Sequence, residues 1–250
     1  MRLLIANPNT TDAVTTLVTG AARRAASAGT TVLGVTARFG PAIIGTRSEM
    51  AVAEHASLEL LARHSGGFDA AIVGASTDSG LRAARELLAI PVLGLTESAI
   101  HLACLLGARF TALTLSARSG AMAREMIDGY GLATRCAGVR AVAATPQMML
   151  DDPDEVADLL AEAAEAAIEE DAADVIVLIG AVLADMAPRL QPVLPVPVVD
   201  GVASAVALAE SLVRLRLPPS RAGSYAAPTG RDTRGLDPVL AARLAWKGIG

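Results

Sequence analysis

Short aliphatic runs alternate with longer mixed stretches along this 250-residue chain, and the two periods mark strands and helices respectively. Residues 2–6 read as a first strand, 7–12 as a polar turn, and the stretch that follows as a helix reaching about Ser27. Residues 31–37, rich in branched side chains, read as a second strand, and 38–47 as a loop. A helix at 48–64 leads through Ser65, Gly66 and Gly67 to a strand at 70–73, and a turn at 75–79 precedes a short helix (80–88) and a strand (91–95).

The same rhythm continues with helix 98–106, strand 109–114, helix 119–129 and strand 139–143. Helix 151–171 opens on Asp-Asp-Pro, acidic side chains at the positive end of a helix, and is followed by strands at 174–179 and 195–199 and a helix at 203–215. Strands alternating with helices predict an α/β protein whose crossover helices cover both faces of parallel sheet. The length suits one large core or two compact lobes. After Leu217 the pattern breaks: Pro218-Pro219 and residues 223–231 read as an exposed linker, and 237–246 as a short amphipathic helix in which Trp246 is a candidate anchor.

Composition narrows the picture. Hydrophobic residues make up 52% of the chain and aromatics only 2%, so the core is packed from aliphatic side chains, with few rings for stacking ligands. The formal net charge of -5 gives no general attraction to nucleic acid. The N-terminal apolar run is too short for a secretory segment and no later run reads as a membrane span, so a cytoplasmic protein is expected. Two cysteines, Cys104 and Cys136, do not form a disulfide framework. The histidines at 55, 64 and 101 are dispersed, GxxxxGK[S/T] is absent, and Gly74 to Gly80 does not fit GxGxxG, so neither metal nor cofactor is expected.

Several blocks, taken in order, carry a resemblance: MRLLIANPNTT at the start, Gly40-Pro41, the turn from Ala75 to Leu81, Pro91 to Gly94, Arg118-Ser119, Val175 to Leu183, and Val199-Asp200-Gly201. Together they resemble the aspartate/glutamate/hydantoin racemase superfamily, most of all hydantoin and allantoin racemases, and they span most of residues 1–215. The resemblance implies two pseudosymmetric parallel-sheet lobes flanked by helices, with an active-site cleft between them. Residues 1–97 with 203–217 are expected as the first lobe, 98–202 as the second and 218–250 as a tail; homo-oligomerisation is a further expectation. It also implies a two-base mechanism in which one thiolate removes an α-proton and an opposite thiol returns one. In this chain the two thiol positions match Ala75 and Gly180, neither of which can transfer a proton.

What remains at these turns is a set of small polar groups. Asn9, Thr10, Ser76 and Thr77 are candidate donors to a carboxylate or carbonyl, with helix capping as the competing role. Arg118 is a candidate for orienting a carboxylate, Ser119 for starting a helix or meeting substrate, and Gly180 with Ala181 for lining the site by backbone. Asp78 and Asp185, near the ends of two strands, are the candidate acid–base groups; each has a solvent-facing or capping role as its alternative. Glu49 and Glu97 read as helix-start acids and His55 as facing outward from its helix. Three functions stay open: a cysteine-independent isomerase acting on a small carboxylate, hydantoin-like or ureido compound; a decarboxylase or other lyase; and a noncatalytic metabolite-binding protein.

Overall fold

The computed structural model describes residues 1–228 and 230–245. Contacts divide them into two compact units, Met1–Gly94 with the described residues from Val206 onward, and Leu95–Ala205.

Unit 1 is built from β1 (Arg2–Asn7), α1 (Asp12–Ala25), β2 (Thr31–Thr36), α2 (Arg47–His64), β3 (Ala70–Val73), α3 (Leu81–Leu87) and β4 (Val92–Gly94). Its sheet is parallel, ordered β2-β1-β3-β4, with Ala6 paired to Val73 and Val73 to Gly94. β3 is buried at all four positions, which is why its sequence is an unbroken aliphatic run instead of an alternation. Leu4, Ala6, Ala71 and Val73 share one face with Leu60, Leu61 and Leu81 from the covering helices. α2 starts where Thr46 Oγ1 accepts the Glu49 amide at 3.3 Å while Glu49 Oε2 accepts the Gly45 amide at 2.8 Å, a reciprocal arrangement that satisfies two otherwise orphaned donors.

Unit 2 contains α4 (Leu95–Leu106), β5 (Phe110–Thr114), α5 (Ala117–Gly129), β6 (Cys136–Ala141), α6 (Pro146–Asp151), α7 (Pro153–Glu170), β7 (Val175–Leu178), α8 (Ala187–Leu190) and β8 (Val198–Asp200). Its parallel sheet is ordered β6-β5-β7-β8, the same topology as unit 1. The period of two is visible in its packing: Ile176 and Leu178 lie in one apolar cluster with Leu160 and Leu183, while Val175, Val177 and Ile179 lie in another with Ile100 and Ile127. α9 (Gly201–Arg214) follows β8, and after a 3-10 turn at Gly223–Tyr225 the chain forms α10 (Pro238–Ala245).

Several boundaries differ from the sequence reading. α4 begins at Leu95, directly from the end of β4, three residues before the expected start. The expected strand at 139–143 is β6 at Cys136–Ala141, so Cys136 opens the strand. The single helix read at 151–171 is two: Asp152, extended at φ -144 and ψ 77 before Pro153, ends α6 and caps α7 through Oδ1 to the Glu155 amide at 3.0 Å. His55 does not face outward: its Nε2 is buried and its ring lies edge-on to Phe39 with centroids 5.1 Å apart. Trp246, the expected anchor of the last helix, lies outside the described residues. Among the described residues no helix is long and apolar enough to cross a membrane.

Candidate functional site

At the carboxyl end of β1, the Asn-Pro-Asn sequence folds into a buried amide and hydroxyl array. Asn7, fully buried, donates through Nδ2 to Asn9 Oδ1 and Thr15 Oγ1, both at 2.9 Å, and accepts the Asn9 amide on Oδ1 at 3.2 Å. Asn9 Oδ1 also accepts the Thr11 amide at 2.9 Å. With Oδ1 consumed by two donors, the Asn9 carboxamide is fixed in orientation and Nδ2 is its remaining hydrogen-bonding group. The Thr10 amide donates to the Pro41 carbonyl at 3.0 Å and Thr11 Oγ1 to the Ala42 carbonyl at 2.8 Å, so the loop after β2 is tied to this turn. Thr15 and Thr36, whose hydroxyls meet at 2.7 Å, were not singled out by sequence reasoning, and Asn7 entered only as part of the N-terminal family-like block; a polar Asn closing an apolar strand was the available signal.

The turn after β3 is equally constrained. Ala75 is buried, and its carbonyl accepts the Asp78 amide at 3.1 Å. Thr77 and Ser79 hydroxyls meet at 2.7 Å, and the Ser79 carbonyl accepts Ser57 Oγ at 2.7 Å. Asp78 has φ 47, in the left-handed region that non-glycine residues seldom adopt. Its side chain is only 6% exposed, and a Cβ placed on Gly94 would lie 2.4 Å from its Cγ. The Asp78 carboxyl therefore sits over the glycine that closes β4, where no other residue would leave it room. It is neither solvent-facing nor simply a surface cap.

In unit 2, Ser116 and Ser119 cap α5 reciprocally: Ser116 Oγ accepts the Ser119 amide at 3.2 Å and Ser119 Oγ accepts the Ser116 amide at 3.1 Å. The Ser119 hydroxyl is thus committed to the helix start, while Arg118 beside it is exposed. The turn after β7 carries Gly180 at φ 167, an extended backbone open to any residue. A Cβ there would meet Leu183 Cγ at 3.1 Å and Cδ1 at 3.2 Å, contacts that a shift of the flexible leucine side chain relieves. Ala181 and Asp185 follow; Asp185 is half-buried at φ 71, again left-handed.

At the end of the neighbouring strand lies Asp200, 8% exposed, whose Oδ1 accepts the Val202 and Ala203 amides at 2.9 Å each. Burial pushes its carboxyl above the usual aspartate range, the nearby Asp185 charge adds to the rise, and the two amides oppose it. Sequence reasoning used Asp200 only as part of a family-like block; an Asp-Gly pair at a strand end before a helix was the signal for a capping carboxylate.

Burial acts on both cysteine thiols. Burial raises the Cys104 thiol against the pull of Arg135, and burial raises Cys136 as well, so both are held away from the thiolate form that acts as a base. Among the described residues no group of three or more His, Cys, Asp or Glu side chains assembles as a metal site.

Two parallel sheets of identical strand order, each with an aspartate-bearing turn after its third strand, define a duplicated α/β architecture. Residues 3–209 match the family model of Asp/Glu/hydantoin racemases, and the chain belongs to that family. It is 34% identical to a hydantoin racemase from Pseudomonas sp. (strain NS671) over 236 residues, 93% of this chain and 94% of the relative. Among solved structures, the allantoin racemase from Pseudomonas fluorescens superposes with a TM-score of 0.90 at 35% identity, over 94% of this chain and all of the other. The allantoin racemase from Klebsiella pneumoniae gives 0.91 at 34% identity, over 96% of this chain and 98% of its own.

Proposed function

We propose that this chain is an isomerase that works without a thiol pair, acting on a small carboxylate, hydantoin-like or ureido compound with carboxyl groups in the acid–base role. One observation carries the reading: in each sheet the turn after the third strand holds an aspartate in left-handed backbone, Asp78 in one and Asp185 in the other. Such a conformation costs a non-glycine residue of order 1 kcal/mol or more, and strain of this kind clusters where side chains are positioned for function. The relatives named as hydantoin and allantoin racemases support the substrate class, since both rings carry a C–H beside a carbonyl.

In this reading a carboxylate takes the proton from that carbon, the electron pair moves onto the carbonyl oxygen, and a carboxyl group returns a proton to the carbon. Asn9 Nδ2, Thr10, Ser76 and Thr77 stabilise the developing oxyanion, Arg118 orients a carboxylate or ring oxygen, and Gly180 and Ala181 contribute backbone. Ser119 acts by holding the start of α5.

The test is incubation of single enantiomers of 5-methylhydantoin and allantoin in deuterated water, with the spontaneous rate subtracted. Exchange of the α-hydrogen together with loss of optical purity is expected, and Asp78→Asn is expected to lower it about 100-fold. Binding with neither exchange nor inversion would reject the proposal in favour of a metabolite-binding role. The double variant Ala75→Cys with Gly180→Cys serves as the comparator, with turnover expected to rise on any ring that the site accepts.

A further inference from the structure

The Asn7 array of unit 1 is a chain of hydrogen bonds with a single direction. A carboxamide nitrogen only donates, so Asn7 Nδ2 gives a proton to Thr15 Oγ1 at 2.9 Å. Thr15 Oγ1 lies 2.7 Å from Thr36 Oγ1, and among the described residues no other group accepts the Thr15 proton, so Thr36 is its acceptor. The Thr36 proton then has no acceptor among the described residues and is left to donate elsewhere. Neighbouring donors are already engaged: the Asn9 amide by Asn7 Oδ1, the Thr11 amide by Asn9 Oδ1, and the Ala37 amide by the Asn7 carbonyl at 3.0 Å. Two donors whose sense the array fixes remain, Asn9 Nδ2 at one end and the Thr36 hydroxyl at the other, with Asn7 Nδ2 linking them.

Thr36 is half-buried and closes β2, in register beside Asn7 at the end of β1. The fold does not demand this relay. In unit 2, which has the same strand order, Thr114 closes β5 opposite Ala141 of β6, and the Thr114 hydroxyl donates to the Ser116 carbonyl at 3.2 Å. Where unit 1 carries the Thr36 hydroxyl, unit 2 carries a methyl group.

We propose that Thr36 is a ligand-binding residue of unit 1, with Asn7 and Thr15 as the positioning residues that keep its hydroxyl a donor. Together with Asn9 Nδ2 it selects ligands by an oxygen that carries no proton, a carboxylate or a ring carbonyl. A ligand that presents only an N–H at this corner leaves its donors unpaired, a mismatch that costs more than a missing contact. The part of Thr36 in turnover rests on the isomerase reading, in which these donors face the oxygen that takes up charge; its part in binding does not.

The test uses the intact protein and two probes of one carbon skeleton, 5-methylhydantoin for the ring carbonyl and its ring-opened form N-carbamoylalanine for the carboxylate, with affinities read by calorimetry. Thr36→Val keeps the shape and removes the hydroxyl; Thr36→Ser keeps the hydroxyl and removes a methyl. Thr36→Val should weaken the probe whose oxygen meets Thr36, about 5-fold for a neutral carbonyl and about 20-fold for a carboxylate, with Thr36→Ser within about 2-fold of the parent. Thr15 is buried and acts through Thr36. Thr15→Val should therefore weaken the same probe about 3-fold, and Thr15→Ser should restore it. A packing role orders the variants the other way, with Ser below Val at each position. That order, equal affinities across the four variants, or a parent that binds neither probe overturns the proposal. If the parent binds and the variants separate as expected while no α-hydrogen exchanges, the isomerase reading fails and Thr36 stands as a binding residue.

Discussion

Two glycines at the ends of strands show how far a single side chain can be argued. Gly94 has no room for a Cβ, because the Asp78 carboxyl carbon would lie 2.4 Å away, whereas Gly180 faces only a leucine side chain that can yield. Gly94→Ala should therefore cost about 1 to 3 kcal/mol in urea unfolding and displace Asp78, with Gly180→Ala within about 1 kcal/mol of the parent. Equal costs at the two positions would remove the distinction between a glycine demanded by packing and one the fold does not require. None of this was legible from sequence, where Gly94 read as part of the 91–95 strand and Gly180 as a turn glycine lining the site. The roles of Asn9 and Ser119 were equally hidden: capping and ligand contact use the same atoms, and only the observed partners separate them. Asn9 has its oxygen consumed and its Nδ2 left to donate, while the Ser119 hydroxyl is spent on its own helix.

At the scale of elements, apolar runs located the strands well, because a strand buried on both faces needs uninterrupted aliphatic residues: the expected 70–73 is β3 itself. Boundaries failed where a cap outweighed periodicity, as at Asp152, or where a helix began without a turn, as at Leu95. In the tail the short helix expected at 237–246 is α10 at Pro238–Ala245, but Pro and Gly mark only where regular structure stops and say nothing of what the chain then touches. Arg221 donates to the Glu86 carbonyl at 3.0 Å, Asp237 pairs with Arg63, and Leu240 of α10 is 1% exposed. α10 is thus a cover for α2, held by one buried leucine and an ion pair. Leu240→Ala should remove about 2 to 3 kcal/mol of that docking. Amide exchange in α10 and proteolysis near residue 230 should then rise well before unit 2 responds. Unchanged exchange in α10 would mean that the polar contacts alone hold it.

For the whole molecule, charge linkage predicts stability that depends on pH in two opposed ways. Burial raises the Glu210 carboxyl, but bonds from Ser27 Oγ and Thr30 Oγ1 at 2.6 Å each and from the Ser27 amide at 2.9 Å outweigh it, leaving Glu210 below the usual range. Asp171 is lowered first by its hydrogen bonds with Arg140, with Thr111 Oγ1 adding to the effect against burial. A carboxyl depressed in the folded state contributes stability that is complete above its unfolded value and is lost as pH falls through the folded one. Asp200 has the reverse sign: its raised value contributes most below the unfolded aspartate range, and the contribution fades as pH climbs through the folded value. Glu210→Gln should therefore destabilise by about 1 kcal/mol near neutrality and by progressively less on acidification. The difference between the parent protein and Asp200→Asn should instead grow in favour of the variant as pH rises. Urea unfolding of the three proteins from the acid range to neutrality separates the two signs. Parallel stability curves would show that none of these carboxyls differs in proton affinity between the folded and unfolded states.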